Sequence, residues 1–116
     1  MPKTKGNRDD AHLHDMLEAA RLIRGYIRHV TFEQFWKDNE KRDAVALRLS
    51  VIGEAASRIS AETQRALPSI PFKQIRGLRN RIVHDYGAID FKIVWRVTRD
   101  EIAPLVRALE KHLGES

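Results

Sequence analysis

"PFKQIRGLRNRIVHDYGAID", residues 71–90, decides the fold of this chain. Ile75, Leu78, Ile82 and Val83 recur at three- and four-residue spacing, the period of one helix face, and nothing in the stretch alternates as a half-buried strand would. Pro71 stands where a helix starts, after the loop that Pro68 also marks. The spacing predicts a helix over about residues 72–86. Gly87 sits just past its end, where a left-handed capping residue is expected. Asp90 can cap the next helix.

The same period extends in both directions. Upstream, Asp9 or Asp10 can open a first helix to about residue 29, with Leu13, Met16, Leu17, Ala20, Ile23 and Ile27 as its apolar stripe. Residues 1–8 are polar and are expected to form a disordered tail. Thr31 and Gln34 have capping-box spacing, so a short helix begins there. A second long helix is predicted over about 39–60, with Ala44, Leu47, Val51, Ala55 and Ile59 on one face. Its Gly53, Ala55 and Ala56 are small enough for another helix to approach closely. Downstream, a fourth helix runs from Asp90 to about residue 113, and Pro104 should kink it near residues 100–104. The expected architecture is all-α: an antiparallel four-helix bundle with an additional short helix, one domain over residues 9–116.

Composition narrows the chemistry. The 116 residues contain no cysteine, which excludes disulfides, thiol catalysis and zinc–thiolate sites. No apolar run approaches the length of a membrane span, and the first residues lack the apolar core of a signal peptide, so a cytoplasmic protein without a membrane partner is expected. Lysine and arginine number 21 against 16 acids, a formal charge of +5, and that balance favours a polyanionic partner.

The third helix carries more than packing requires. Lys73, Arg76, Arg79 and Arg81 place four cations within residues 73–81. Arg76, Asn80 and His84 follow one another at i, i+4 and i+8 and share a face. Arg79 and His84 stand about 140° apart around an ideal helix, so a long arginine or a second subunit is needed to bring them together. Cations in a last turn also favour the helix dipole, which is the plain structural reading of these residues. Gly77 argues for more, because a helix-interior glycine costs about 1 kcal/mol relative to alanine and suggests the close approach of a backbone or ligand. Other candidates carry less. His12 and His14, two apart on a helix, face away from each other, and no metal site is expected. Trp36 and Trp95 read as core or interface residues, and Arg96 and Arg99 as a solvated face.

"RNRIVHDYGAID", with "VIGEAA" upstream and "VW" downstream, resembles the HEPN superfamily, and more closely the HepT-like toxins paired with minimal nucleotidyltransferase antitoxins. Arg79, Asn80, His84 and Tyr86 fill the R-N-x-x-x-H-x-Y pattern of that branch. The resemblance implies a ribonuclease that needs no metal or cofactor. Its catalytic residues would be Arg79, His84 and Asn80, with Lys73, Arg76 and Arg81 on RNA phosphates and Glu54 as a possible orienter. It implies a homodimer with the active cleft at the interface. It further implies a cognate MntA-like nucleotidyltransferase that silences a type VII-like toxin by attaching AMP to Tyr86. The chemistry agrees with the residue types. His84 is a residue type suited to general acid or base work, Arg79 matches phosphate oxygens, and the ribose 2′-OH is a nucleophile that RNA itself supplies.

The same residues admit another class of function. A non-catalytic HEPN module, the partner- or nucleotide-binding subunit of a two-component nucleotidyltransferase, would use Arg79 and His84 to hold phosphate without cutting RNA. A third option is that the nucleotidyltransferase is the toxin and this chain restrains it.

Overall fold

A computed structural model describes residues 4–115, with side chains from Arg8 onward. Seven α-helices and one 3-10 turn account for the described fold, and no strand occurs among these residues. The helices are α1 (Thr4–Ile27), α2 (Phe32–Lys37), α3 (Asn39–Ala56), α4 (Ala61–Ala66), α5 (Phe72–His84), α6 (Phe91–Asp100) and α7 (Ile102–Leu113). The 3-10 turn, Tyr86–Ala88, follows α5.

The packing is antiparallel, as cross-helix contacts show. Asp9 near the start of α1 reaches Ser60 and Thr63, whereas Tyr26 near its end receives Lys41 Nζ at 2.9 Å on its carbonyl. Arg21 meets Glu110 at 2.8 Å and Glu115 at 3.4 Å, and His14 meets Glu115 at 3.0 Å, so α7 runs back along α1. The α3 helix lies between α1 and α5. The predicted stripe of α1 forms the centre of the core: Leu13, Met16, Ala20 and Ile23 are fully buried, facing a layer that includes Phe35, Val45, Val94 and Val106. Burying one such aliphatic side chain stabilises the fold by about 1.5–3 kcal/mol before entropy is counted.

Local signals hold at several boundaries. Thr31 and Gln34 form the reciprocal capping box, with Thr31 Oγ1 accepting from the Gln34 N–H at 3.1 Å. Asp90 caps α6 by accepting from the Lys92 N–H at 2.9 Å. The predicted kink is a full break: α6 ends at Asp100 and α7 starts at Ile102. Pro104 therefore lies in the first turn of α7, where its missing N–H would have had no partner.

Four expectations are corrected. First, α1 begins at Thr4, so residues 4–8 are helical and Asp9 is no cap; residues 1–3 lie outside the described residues. Asp9 is instead buried, accepting from the Ser60 N–H at 3.1 Å and the Ser60 hydroxyl at 2.6 Å, and from the Thr63 hydroxyl. Second, the helix expected to reach residue 60 stops at Ala56, and Ser60 caps α4. The Asp9 carboxylate holds that cap in place, a partner remote in sequence. Third, α3 buries Val45, Leu49, Ile52 and Ala56, whereas Leu47 is 56% exposed. A helix packed between two neighbours buries two faces, and a single-stripe reading misses that. Fourth, Gly87 does not adopt a left-handed cap; the chain turns through the 3-10 element instead, and the left-handed glycine is Gly114 after α7, at φ 72°.

Candidate active site

Gly53 sets the spacing of the site. A Cβ built there would lie 2.1 Å from Arg79 Cβ and 3.3 Å from the Ile75 carbonyl oxygen, so α5 presses directly on the α3 backbone. A Cβ at Gly77 would meet nothing within 4 Å. The close approach expected of Gly77 thus belongs to Gly53 within this chain.

The contact at Gly53 lays the Arg79 side chain across α3. One guanidinium nitrogen, Nη2, donates to Glu54 Oε1; the other, Nη1, donates to Asn80 Oδ1 at 2.9 Å. The second Glu54 oxygen accepts from Arg58 Nη2 at 2.7 Å. The hydrogen bond from Arg58, joined by the charge of Arg79, holds the Glu54 carboxyl below the ordinary carboxylate range. The Arg79 side chain is 29% exposed, against 59% for Arg58, so the first is fixed while the second stays largely in solvent. Glu54 thus pairs with the cleft arginine, and Asn80 bonds Arg79 rather than His84.

Glu54, Arg58 and Arg79 border an open cleft of about 320 Å³ between α1, α3 and α5, lined also by His12, Asp15, Val51 and Val83 but not by Asn80 or His84. His84 is exposed at the last residue of α5 and makes no hydrogen bond or ion pair among the described residues. One chain does not join Arg79 to His84 by any hydrogen bond, as their separation around the helix suggested. Lys73 and Arg81 are exposed, and Arg76 reaches Gln64 Oε1 at 3.4 Å. Arg76 lies one turn before Arg79 on the same side of α5, whereas Arg81 lines a separate pocket with Leu78, Asp85 and Asp90.

Tyr86 stands in the turn after His84. Its hydroxyl donates to an Asp43 carboxylate oxygen on α3, and its ring meets Phe91 edge-on at 5.8 Å. Burial, joined by the Asp43 carboxylate, pushes the phenol up to about 12. The side chain stays 40% exposed, and Val83 and Leu47, both more than half exposed, add apolar surface on the same two helices.

The remaining candidates separate. His12 lines the cleft, whereas His14 turns to Glu115; no group of acidic or histidine side chains suited to a metal occurs among the described residues. Trp95 packs against Phe32 and Phe35, Trp36 is 46% exposed, and Arg99 pairs with Asp100 at 2.9 Å. Sequence reading missed Asp43 and Arg58. Asp43 lies eleven residues before Glu54 on the same helix, but its value depends on the antiparallel register of α3 and α5, which no local pattern specifies.

Comparison with known proteins places this geometry in context. Residues 16–112 match the family described as Ribonuclease HepT-like. A Thermococcus cleftensis protein named "Probable ribonuclease HepT" is 32% identical over 86% of this chain and 91% of its own length. The Methanocaldococcus jannaschii protein named "Putative RNase MJ1216" is 33% identical over 87% of this chain and 84% of its own. No solved structure matches significantly. No described helix is long and apolar enough to cross a membrane.

Proposed function

Because the chain belongs to the ribonuclease HepT-like family, we propose that it is an endoribonuclease that cuts RNA without a metal, with Arg79 and His84 as its catalytic residues. The observation that carries this reading is the fixed guanidinium. Arg79 is held by Glu54 and Asn80 at the wall of an open cleft, five residues before an exposed histidine on the same helix.

In the proposed reaction a histidine removes the proton from a ribose 2′-OH. The 2′-oxygen then bonds to the adjacent phosphorus, the bond from phosphorus to the 5′-oxygen breaks, and a proton is delivered to that leaving oxygen. The products are a 2′,3′-cyclic phosphate and a 5′-hydroxyl. Arg79 stabilises the charge that gathers on the phosphoryl oxygens, and Asn80 keeps its guanidinium oriented. Lys73, Arg76 and Arg81 hold neighbouring phosphates along α5.

Two proton transfers call for two groups, and α5, the helix that carries Arg79, offers one histidine. The active form is therefore a homodimer in which two copies of α5 share one cleft. The exposed Leu47 and Val83 support an interface on this face. The chain acts as the toxin of a pair with a MntA-like nucleotidyltransferase, which silences it at Tyr86. Attachment of AMP bonds the phenolic oxygen to the α-phosphorus of ATP, releases pyrophosphate and removes the phenolic proton.

Mixing tests the reading. Arg79→Ala and His84→Ala homodimers should each be inactive on RNA. Unfolding and refolding wild type with an excess of His84→Ala should lower the activity below that of the wild-type chains alone, because a mixed dimer keeps only one of the two histidines that the proton transfers need. Cleavage by the His84→Ala homodimer would refute the assignment.

A further inference from the structure

Two carboxylates on α3 hold the two ends of the segment that runs from Arg79 to Tyr86. Asp43 and Glu54 are eleven residues apart, about three helical turns, so both project from one face. Glu54 accepts from the Arg79 guanidinium and Asp43 from the Tyr86 hydroxyl. His84 lies between these anchors. Beyond it the backbone leaves the helix at Asp85, φ −149°, and enters the 3-10 turn. That turn contains no buried residue, and its own backbone bonds run within it, Ala88 N–H to Asp85 and Ile89 N–H to Tyr86. The Tyr86 side chain therefore does most to tie the turn to the bundle, through Asp43 and through Phe91.

We propose that Asp43 is a positioning residue for RNA cleavage: through the Tyr86 hydroxyl it fixes the turn behind His84, and so fixes the imidazole relative to Arg79. The proposal rests on the ribonuclease reading above. It also gives modification of Tyr86 a mechanical consequence. AMP on the phenolic oxygen removes the only hydrogen-bond donor of that side chain and sets a phosphodiester charge against the Asp43 carboxylate. The bond to α3 is lost and the turn that follows His84 is released, in addition to any crowding of the cleft.

Asp43 and Tyr86 are both exposed, so substitutions there leave the buried core intact. Asp43→Ala and Tyr86→Phe should each lower kcat about tenfold with KM for RNA unchanged, since each removes one charge-assisted hydrogen bond. The double variant should be no slower than either single one, because both changes cut the same link. Asp43→Asn should keep kcat within about twofold, as its amide oxygen still accepts from the phenol. Amide hydrogen exchange over residues 84–88 should be about tenfold faster in Asp43→Ala and Tyr86→Phe. Wild-type exchange in both variants would overturn the latch whether or not the protein cuts RNA. Faster exchange with unchanged kcat would overturn the positioning role. A wild-type dimer that cuts no RNA would refute the ribonuclease reading instead, and the exchange measurement would still decide the latch.

Discussion

Gly53→Ala and Gly77→Ala are the same chemical change on two packed helices, and the structure assigns them opposite signs. At Gly53 the new Cβ would stand 2.1 Å from Arg79 Cβ and 2.7 Å from Arg79 Cγ, with the Ile75 carbonyl oxygen at 3.3 Å. These distances are far inside van der Waals contact, and two of the three neighbours are a Cβ and a backbone oxygen. The clash can be relieved only by moving α5 away from α3 by roughly 1–1.5 Å, against a usual carbon–carbon separation of about 3.5–4 Å. Overpacking of this kind costs about 1–3 kcal/mol, offset by about 1 kcal/mol of improved helix propensity. A net loss of up to about 2 kcal/mol follows, or a fall in Tm of up to roughly 10 °C for a domain of this size. The same shift carries Arg79 with it, and a displacement near 1 Å in a catalytic group costs about a hundredfold in rate. At Gly77 the Cβ enters open space, so only the propensity gain of up to about 1 kcal/mol remains. Melting curves by circular dichroism, with RNA cleavage on the same samples, measure both. A Gly53→Ala protein as stable and as active as wild type would refute the close-approach argument.

Asp9 makes stability depend on acid. Burial pushes its carboxyl up, but hydrogen bonds from Ser60 and Thr63 and the nearby His12 outweigh that and hold it below the ordinary range. A depressed folded-state value contributes stability that is complete above the unfolded value near 4 and is lost as pH falls through the folded one. Chemical denaturation between pH 5 and pH 2 should thus show a loss that Asp9→Asn lacks, and Asp9→Asn should be less stable than wild type at pH 7 by about 2–3 kcal/mol. Ultraviolet titration should place the Tyr86 phenol near 12 and Asp43→Asn should lower it, because an anionic acceptor beside the phenol is gone. Glu54→Gln keeps an acceptor for Arg79 but removes the charge that fixes it, so cleavage should fall roughly tenfold while the fold remains; an unchanged rate would show that Asn80 alone positions the guanidinium.

The features legible in the sequence are those written in local chemistry. Thr31 with Gln34, Asp90, and Pro104 each act within one turn of themselves, and their effects on α2, α6 and α7 follow from the residues alone. The α1 stripe was legible because that helix buries one broad face. The α3 stripe was not, because α1 and α5 cover two sides of it and leave Leu47 outside. The break at residues 57–60 was hidden for another reason: Ser60 depends on Asp9, whose contact spans 51 residues. In the site, Arg79, Asn80, His84 and Tyr86 stand close together in sequence and could be read as a group. Their anchors, Gly53, Glu54 and Asp43, sit on another helix. Glu54 was visible only as a carboxylate near the right face, and Asp43 and the contact at Gly53 required the register of α3 against α5.

In the proposed reaction the RNA's own 2′-OH attacks the phosphate, driven by Arg79 and His84 without a metal. The most direct measurement is cleavage in EDTA of an oligoribonucleotide with a known cut site, beside the same strand carrying a single 2′-deoxy residue there, with the new ends identified by mass spectrometry. Cutting of the all-ribose strand only is expected, with 2′,3′-cyclic phosphate and 5′-hydroxyl ends and no cutting by His84→Ala. Cleavage at the 2′-deoxy position, or activity that EDTA abolishes, would contradict it.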